Sequence, residues 1–320
     1  MMNSNEAIFD SSQGVGLPLT APIVFIIFNR PDKARETFAA IAKVRPKKLL
    51  VIAEGPRSRI PGEDFLCQQT RQIIDGVDWD CKVLKNYSDI NLGCRERLAS
   101  GLDWAFENVP EAIILEDDCL PAPSFFQFCN ELLAYYRDDE RVGMISGDNF
   151  QKGVRRGDGD YYFSRYCHIW GWATWARAWK KYDVHASTWP QLKSDGWLKS
   201  LGFHGSENRF WTRAFDRVYS KSLNTWDYQW TLSCWLNNMV SIIPNVNLIS
   251  NIGFDDQATH TTSESIYAGM ATGDLQFPLK HPAHFAINQD ADLASSKSMF
   301  SASRLKRAFY KMQSLFGVRL

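Results

Sequence analysis

Apolar residues in the first half of the chain fall in short unbroken runs, separated by stretches of helical period. Residues 22–28 (PIVFIIF), 48–53 (KLLVIA), 81–86, 112–115 and 142–146 have strand length. A continuous apolar run of that length suits a strand covered on both faces. Between these runs, residues 32–44 place Ala34, Phe38 and Ile41 on one helical face, and Pro31 is well placed to start that helix. Residues 63–74, 93–108 (with Leu98, Leu102 and Ala105) and 124–136 read as further helices. Strands alternating with helices predict an α/β fold with a mostly parallel central sheet flanked by helices.

Beyond residue 150 the pattern changes. Residues 161–235 are rich in aromatic side chains, with helices predicted over 174–181, 207–219 and 227–236 and short strands at 241–243 and 246–249 around Pro244. Of 12 tryptophans, ten lie between Trp170 and Trp235. Trp175 and Trp179, at i and i+4, read as one buried helix stripe. No repeat and no Gly/Ser/Pro-rich linker divides residues 21–290, so they read as one domain preceded by a disordered leader at 1–20.

Composition narrows the class. Lys+Arg and Asp+Glu each number 36, and this balance argues against a nucleic-acid partner, which calls for a basic excess. No run approaches the ~18 apolar residues that a membrane span needs. Seven cysteines without a C-x-x-C pair read as reduced thiols of a cytoplasmic protein, and the leader lacks the basic-then-apolar pattern of a secretion signal. The neutrality hides an asymmetry. Residues 296–320 carry six basic residues and no acid, so the tail is +6 and the body −6. Leu305, Phe309, Met312 and Phe316 recur there at helical spacing. The tail reads either as an amphipathic helix on an anionic membrane surface, which would put the protein on the inner face of the cytoplasmic membrane, or as a terminal helix docked on the body with its basic side in water.

The strongest chemical signal is Glu116-Asp117-Asp118, directly after the apolar run ending at Leu115. In open α/β sheets, ligands bind beyond the carboxyl ends of the strands. If the extended conformation continues, Glu116 and Asp118 share a face and Asp117 opposes them. Crowded like charges are costly unless a cation or hydrogen-bond donors compensate, and a hard ion such as Mg²⁺ or Mn²⁺ suits carboxylate and phosphate oxygens. The alternative is a polar loop that caps the next helix.

The acids are followed by Leu120-Pro121-Ala122-Pro123-Ser124-Phe125-Phe126, and the segment E-D-D-x-x-x-x-P-x-F-F resembles the metal-binding segment of nucleotide-sugar glycosyltransferases of the GT-A fold. The pattern is similar to the N-acetylglucosaminyltransferase I type and to bacterial family-2-like sugar transferases. It continues over residues 22–262, through Asn29-Arg30, Glu54, Trp170-Gly171-Trp172, Trp226-Asp227-Tyr228-Gln229-Trp230 and PNVNLISNIGFDDQATH ending at His260. Glu54 stands where that family carries an aspartate.

The resemblance implies a GT-A-like domain with a donor half over 21–150 and an acceptor half over 151–262. It implies a divalent metal, Mn²⁺ or Mg²⁺, on Asp118. Arg30 would lie at the donor diphosphate, Asp117 at the ribose, Glu116 at the sugar and Glu54 at the base. His260 would belong to a loop closing over the donor. Trp170, Trp172 and Trp226 would form the acceptor side, and Asp227 would be the base of an inverting transfer; a plain N-cap is the other reading of Asp227. The implied activity is transfer from a nucleoside-diphosphate sugar to a saccharide or lipid-linked acceptor in cell-surface polysaccharide synthesis. A sugar nucleotidyltransferase and a non-catalytic carbohydrate-binding protein are the competing readings. The first lacks its G-x-G-x-R loop after the first strand, and the second leaves the acids unexplained.

Overall fold

The structure, a computed structural model, describes residues 19–254 and 267–300. The alternating elements expected in the first half form with small shifts at their ends. They are β1 (Ile23–Ile27), α1 (Pro31–Val44), β2 (Lys48–Ala53), α2 (Glu63–Gln72), β3 (Lys82–Tyr87), α3 (Cys94–Asn108) and β4 (Glu111–Glu116). Then come β5 (Cys119–Pro121), α4 (Pro123–Tyr135) and β6 (Val142–Ser146). The aromatic half contributes β7 (Tyr161–Ser164), β8 (Trp172–Trp175), α5 (Ala176–Trp179), α6 (Trp189–Ser194), α7 (Trp197–Ser200), α8 (Gly205–Tyr219) and α9 (Asp227–Leu236). The chain continues through β9 (Val240–Pro244), β10 (Ile249–Asn251) and α10 (Gln289–Ser295). Among the described residues no helix is long and apolar enough to cross a membrane.

Eight strands form one sheet in the order β3-β2-β1-β4-β8-β6-β9-β7. The first four are parallel; β8 runs antiparallel to β4 and β6, and β7 antiparallel to β9. The chain leaves β1 toward β2 and β3 on one side and returns as β4 on the other. The strand order therefore reverses between β1 and β4, where open α/β sheets form their crevice. A small antiparallel pair, β5 with β10, sits apart from the main sheet and sets Asn251 opposite Cys119.

Alternation along the strands builds two cores. Phe25, Val51, Leu115 and Trp175 face α1 and α4, while Ile26, Ile52, Ile114 and Trp172 face α3, α5 and α9. Successive strand residues point to opposite faces, so both layers of helix are covered. A third cluster, with Tyr166, Trp189, Trp211, Phe215 and Trp235, lies among α6 to α9.

Two expectations are corrected here. Residues 172–175 are a strand, and the helix expected from 174 starts only at Ala176. Trp175 and Trp179 thus fall in different cores, on opposite faces of the sheet, and form no common stripe. β-strand pairing of Ala173 with both Ile113 and Ile145 overrides the helical spacing. Trp172 also departs from its expected acceptor-side place. It is 1% exposed, stacked on Trp226 at 5.3 Å and tilted against Trp179 and Trp230. A cavity left by so large a ring is costly, so Trp172→Ala should lose about 3–5 kcal/mol of stability in denaturant unfolding. A loss below about 1 kcal/mol, the range of surface changes, would contradict its core placement.

Candidate functional site

A cleft of about 460 Å³ opens at the carboxyl ends of β1, β2 and β4. It is lined by Arg30, Glu54, Glu116, Asp117, Asp118, Trp170, Trp226 and Asp227, and also by Phe28, Arg57, Asn91 and Arg97. Parallel register explains the first group. Ile27 pairs with Ala53 and Ile26 with Glu116, so the residues that follow β1, β2 and β4 emerge at one edge.

The chain does not stay extended through the acids. It turns at Asp117-Asp118, so the alternation expected for the three side chains ends at Glu116 and all three reach the cleft. The turn is held from several sides. Phe28 N–H donates to Asp117 Oδ2 at 3.1 Å, and the Thr37 hydroxyl donates to the Asp117 carbonyl at 2.9 Å. Ile252 N–H donates to the Asp118 carbonyl at 2.8 Å. Arg30 Nη1 pairs with Asp118 Oδ2 at 3.2 Å, and its Nη2 donates to the Gly253 carbonyl at 3.0 Å. A Cβ at Gly253 would overlap Asp118 Oδ2, so only glycine lets that backbone cross the ion pair.

The electrostatics are unusual. Burial, then the charges of Asp118, Asp117 and Asp227, push the Glu116 carboxyl up to about 8. Burial and Asp118 raise Asp117 to about 7. Glu54 is 7% exposed; its Oε1 accepts from Gly55 N–H at 2.9 Å and Leu92 N–H at 3.1 Å, while Oε2 is buried with no hydrogen-bond partner. Glu54 thus brings an uncommitted acceptor to the cleft.

Across the cleft stands Asp227. Trp226 is the N-cap of α9 and Asp227 its first residue, so the carboxylate does not serve as a plain N-cap; it accepts from the Thr225 hydroxyl. Trp170 sits edge-on to Phe254 at 5.5 Å and to Phe150 at 5.3 Å. Trp226 borders the cleft but is 2% exposed. Trp172 does not line it. His260 and Asp255-Asp256 lie outside the described residues, as does the tail beyond residue 300.

Several lining residues were not singled out in the sequence. Arg57 is ion-paired with buried Glu63, which also accepts from Asn29 Nδ2 at 2.8 Å, and its guanidinium sits 5.5 Å from the Phe28 ring centroid. Arg97 donates to the Ala53 carbonyl at 3.1 Å and to Asn86 Oδ1 at 2.8 Å. In the sequence both arginines look solvated, because their partners arrive from other segments. Of the histidines, His168 is buried, and burial pushes it down to about 4, as a structural residue would be. His281 is half-buried; it bonds the Tyr161 hydroxyl at 2.8 Å and stacks on exposed Tyr135. Among the described residues no three His, Cys, Asp or Glu side chains form a self-sufficient metal centre.

No protein family model matches the chain, and no curated protein does. Among solved structures, it is similar at a distance to two of UDP-glucose pyrophosphorylase, one apo and one complexed with UDP-glucose. The identities are 9% and 10%, the TM-scores 0.34 and 0.33, and the matches cover 69% of this chain and 90% and 89% of those chains. Likenesses this remote carry no argument about activity.

The raised carboxyls have a consequence for stability. Glu116 and Asp117 hold protons in the folded protein at pH values where the unfolded chain, titrating near 4.5 and 3.8, has released them. The fold is therefore favoured at low pH, and that contribution is lost as pH rises from about 4 toward the folded values near 7 and 8. The metal-free protein should melt at falling temperature between pH 5 and 8. Glu116→Gln, which stays neutral, should flatten that fall; an unchanged pH profile would refute the assignment.

Proposed function

We infer that this chain is a metal-dependent glycosyltransferase that moves a sugar from a nucleoside-diphosphate donor, a UDP-sugar first among them, to a saccharide or lipid-linked acceptor with inversion. The observation that carries this is the meeting of the β4 acids, Arg30 and Glu54 with Asp227 of α9 in one cleft. Donor-side groups come from the parallel half of the sheet, and the opposing carboxylate comes from the aromatic half.

Each group has a task suited to its setting. Arg30 offers a planar fork to diphosphate oxygens. Glu54 Oε2 accepts a hydrogen bond from the base. Asp117 faces the ribose, and Glu116, protonated near neutral pH, donates to a sugar hydroxyl, as raised carboxyls do elsewhere. Asp227 takes the proton of the acceptor hydroxyl, and the exposed part of Trp170 offers an aromatic face to the acceptor ring. Asp118 fits a hard divalent ion, Mn²⁺ or Mg²⁺, that completes its shell with phosphate oxygens, because the cleft supplies oxygen ligands without a full protein cage. When bound, such an ion would stabilise negative charge on the leaving diphosphate.

Sugar nucleotidyltransfer is the second reading, since it uses the same substrates. The Phe28-Asn29-Arg30-Pro31 connection, which passes straight from β1 into α1 without a glycine-rich loop, favours glycosyltransfer. A binding protein would need the aromatics but not five converging acids. Of the basic tail, residues 296–300 dock on the body, with Phe300 against Tyr166 and Trp211, and an anionic membrane surface is proposed as the partner only of the part beyond them.

The test is a thermal-shift screen of UDP-, GDP-, CMP- and dTDP-sugars with Mn²⁺ and with chelator, followed by turnover of the stabilising donor. Asp227→Asn should lower turnover by about 100- to 10,000-fold, the range for loss of a general base, while nucleotide affinity stays within twofold. Near-normal turnover by that variant would remove Asp227 as the base. Release of pyrophosphate from a nucleoside triphosphate and a sugar 1-phosphate would favour the second reading.

A further inference from the structure

The start of α3 and the loop before α9 are 129 residues apart, yet they are joined by two hydrogen bonds, both donated by Arg95. α3 has no local side-chain cap. Its cap comes from the loop before α9: Asn224 Oδ1 accepts the Arg95 N–H at 3.0 Å, the N–H of the second helical residue, which a capping side chain normally serves. The Arg95 side chain adds a second bond in the same direction, Nη2 donating to the Leu223 carbonyl at 3.0 Å. The approach is close. Gly93 has φ +79, and a Cβ there would lie 2.5 Å from Asn224 Nδ2.

The loop is held along its whole length. Gln229 Nε2 donates to the Thr225 carbonyl at 2.6 Å, the Tyr182 hydroxyl donates to the Trp226 carbonyl at 3.2 Å, and the Thr225 hydroxyl donates to Asp227. Within α3, Arg97, two residues on, grips the Ala53 carbonyl just before Glu54. One turn of helix therefore fixes both the end of β2 and the loop that carries Asp227. Arg95 is 4% exposed and is not among the residues lining the cleft, whereas Asn224 is one of them. Burying a guanidinium against a carbonyl costs free energy. The planar fork on a packed stem gives rigidity in return, which lysine's point charge would not.

We propose that Arg95 and Asn224 are positioning residues that hold Asp227 at a set distance from the donor wall. The proposal rests on the transferase reading above. Their loss leaves donor binding intact and displaces the base, and a displacement near 1 Å lowers turnover by roughly 100-fold.

The experiment measures sugar transfer by the full chain with Mn²⁺ and the donor found in the screen, for wild type, Arg95→Met, Asn224→Ala and the double variant. Each single variant should lose roughly 10- to 100-fold in kcat, and for Arg95→Met, whose side chain lies outside the cleft lining, nucleotide affinity and donor KM should stay within twofold. Arg95→Met keeps the backbone N–H bond to Asn224 and Asn224→Ala keeps the guanidinium bond to Leu223, so the double variant, which loses both, should be more impaired than either single one. Arg95→Lys serves if Arg95→Met does not fold, and it should show the same kcat-only loss. Folded variants with kcat within twofold of wild type overturn the proposal. So does a loss of donor affinity that matches the loss in kcat, which would make the clasp a general support of the cleft. A wild-type chain inactive with every donor overturns the transferase reading and this proposal together; an active wild type with unaffected variants overturns this proposal alone.

Discussion

The constraint on which the rest of the structure turns is the concentration of negative charge at the end of β4. Glu116, Asp117 and Asp118 stand in a buried setting with Asp227 near enough to raise Glu116 further, and Arg30 is ion-paired with Asp118. Like charges in a low-dielectric setting are unfavourable, and the protein answers partly by protonation and partly by donors. Phe28 N–H, the Thr37 hydroxyl and Ile252 N–H all point at this turn. Residual charge of this kind suits a cation that arrives with its ligand.

The framework keeps that charge in place. The parallel strands β1, β2 and β4 deliver Arg30, Glu54 and the acids to one edge, and β5 paired with β10 draws Gly253 over the ion pair. On the opposite side, the stack of Trp172, Trp226 and Trp230, with Trp179 against it, gives α9 a stiff bed. Most of the tryptophans thus serve the site indirectly, as the packing that fixes helix and strand relative to each other.

Much of this was legible in the sequence, and the parts that were not share a cause. The buried strands β2 and β6 match their apolar runs to the residue, and α9 does the same, because hydrophobic pattern and chain position agree there. The convergence of Arg30, Glu54 and Asp118 follows from three strands running parallel. The strand β8 was hidden, since Trp172 to Trp175 carries a spacing that a helix would also satisfy and only its two neighbouring strands decide the matter. The clasp of Arg95 with Asn224 was equally invisible, because a buried arginine and a solvated one look alike until the partner segment is in place.

The central claim is that Asp118 holds a divalent ion together with a nucleoside diphosphate. Anomalous scattering from crystals grown with UDP and Mn²⁺ tests it most directly. The account predicts a manganese peak within about 2.0–2.6 Å of an Asp118 carboxylate oxygen, the range for oxygen ligands of hard divalent ions, with phosphate oxygens in the same shell. A cleft that takes up the nucleotide without a manganese peak at Asp118 would contradict it.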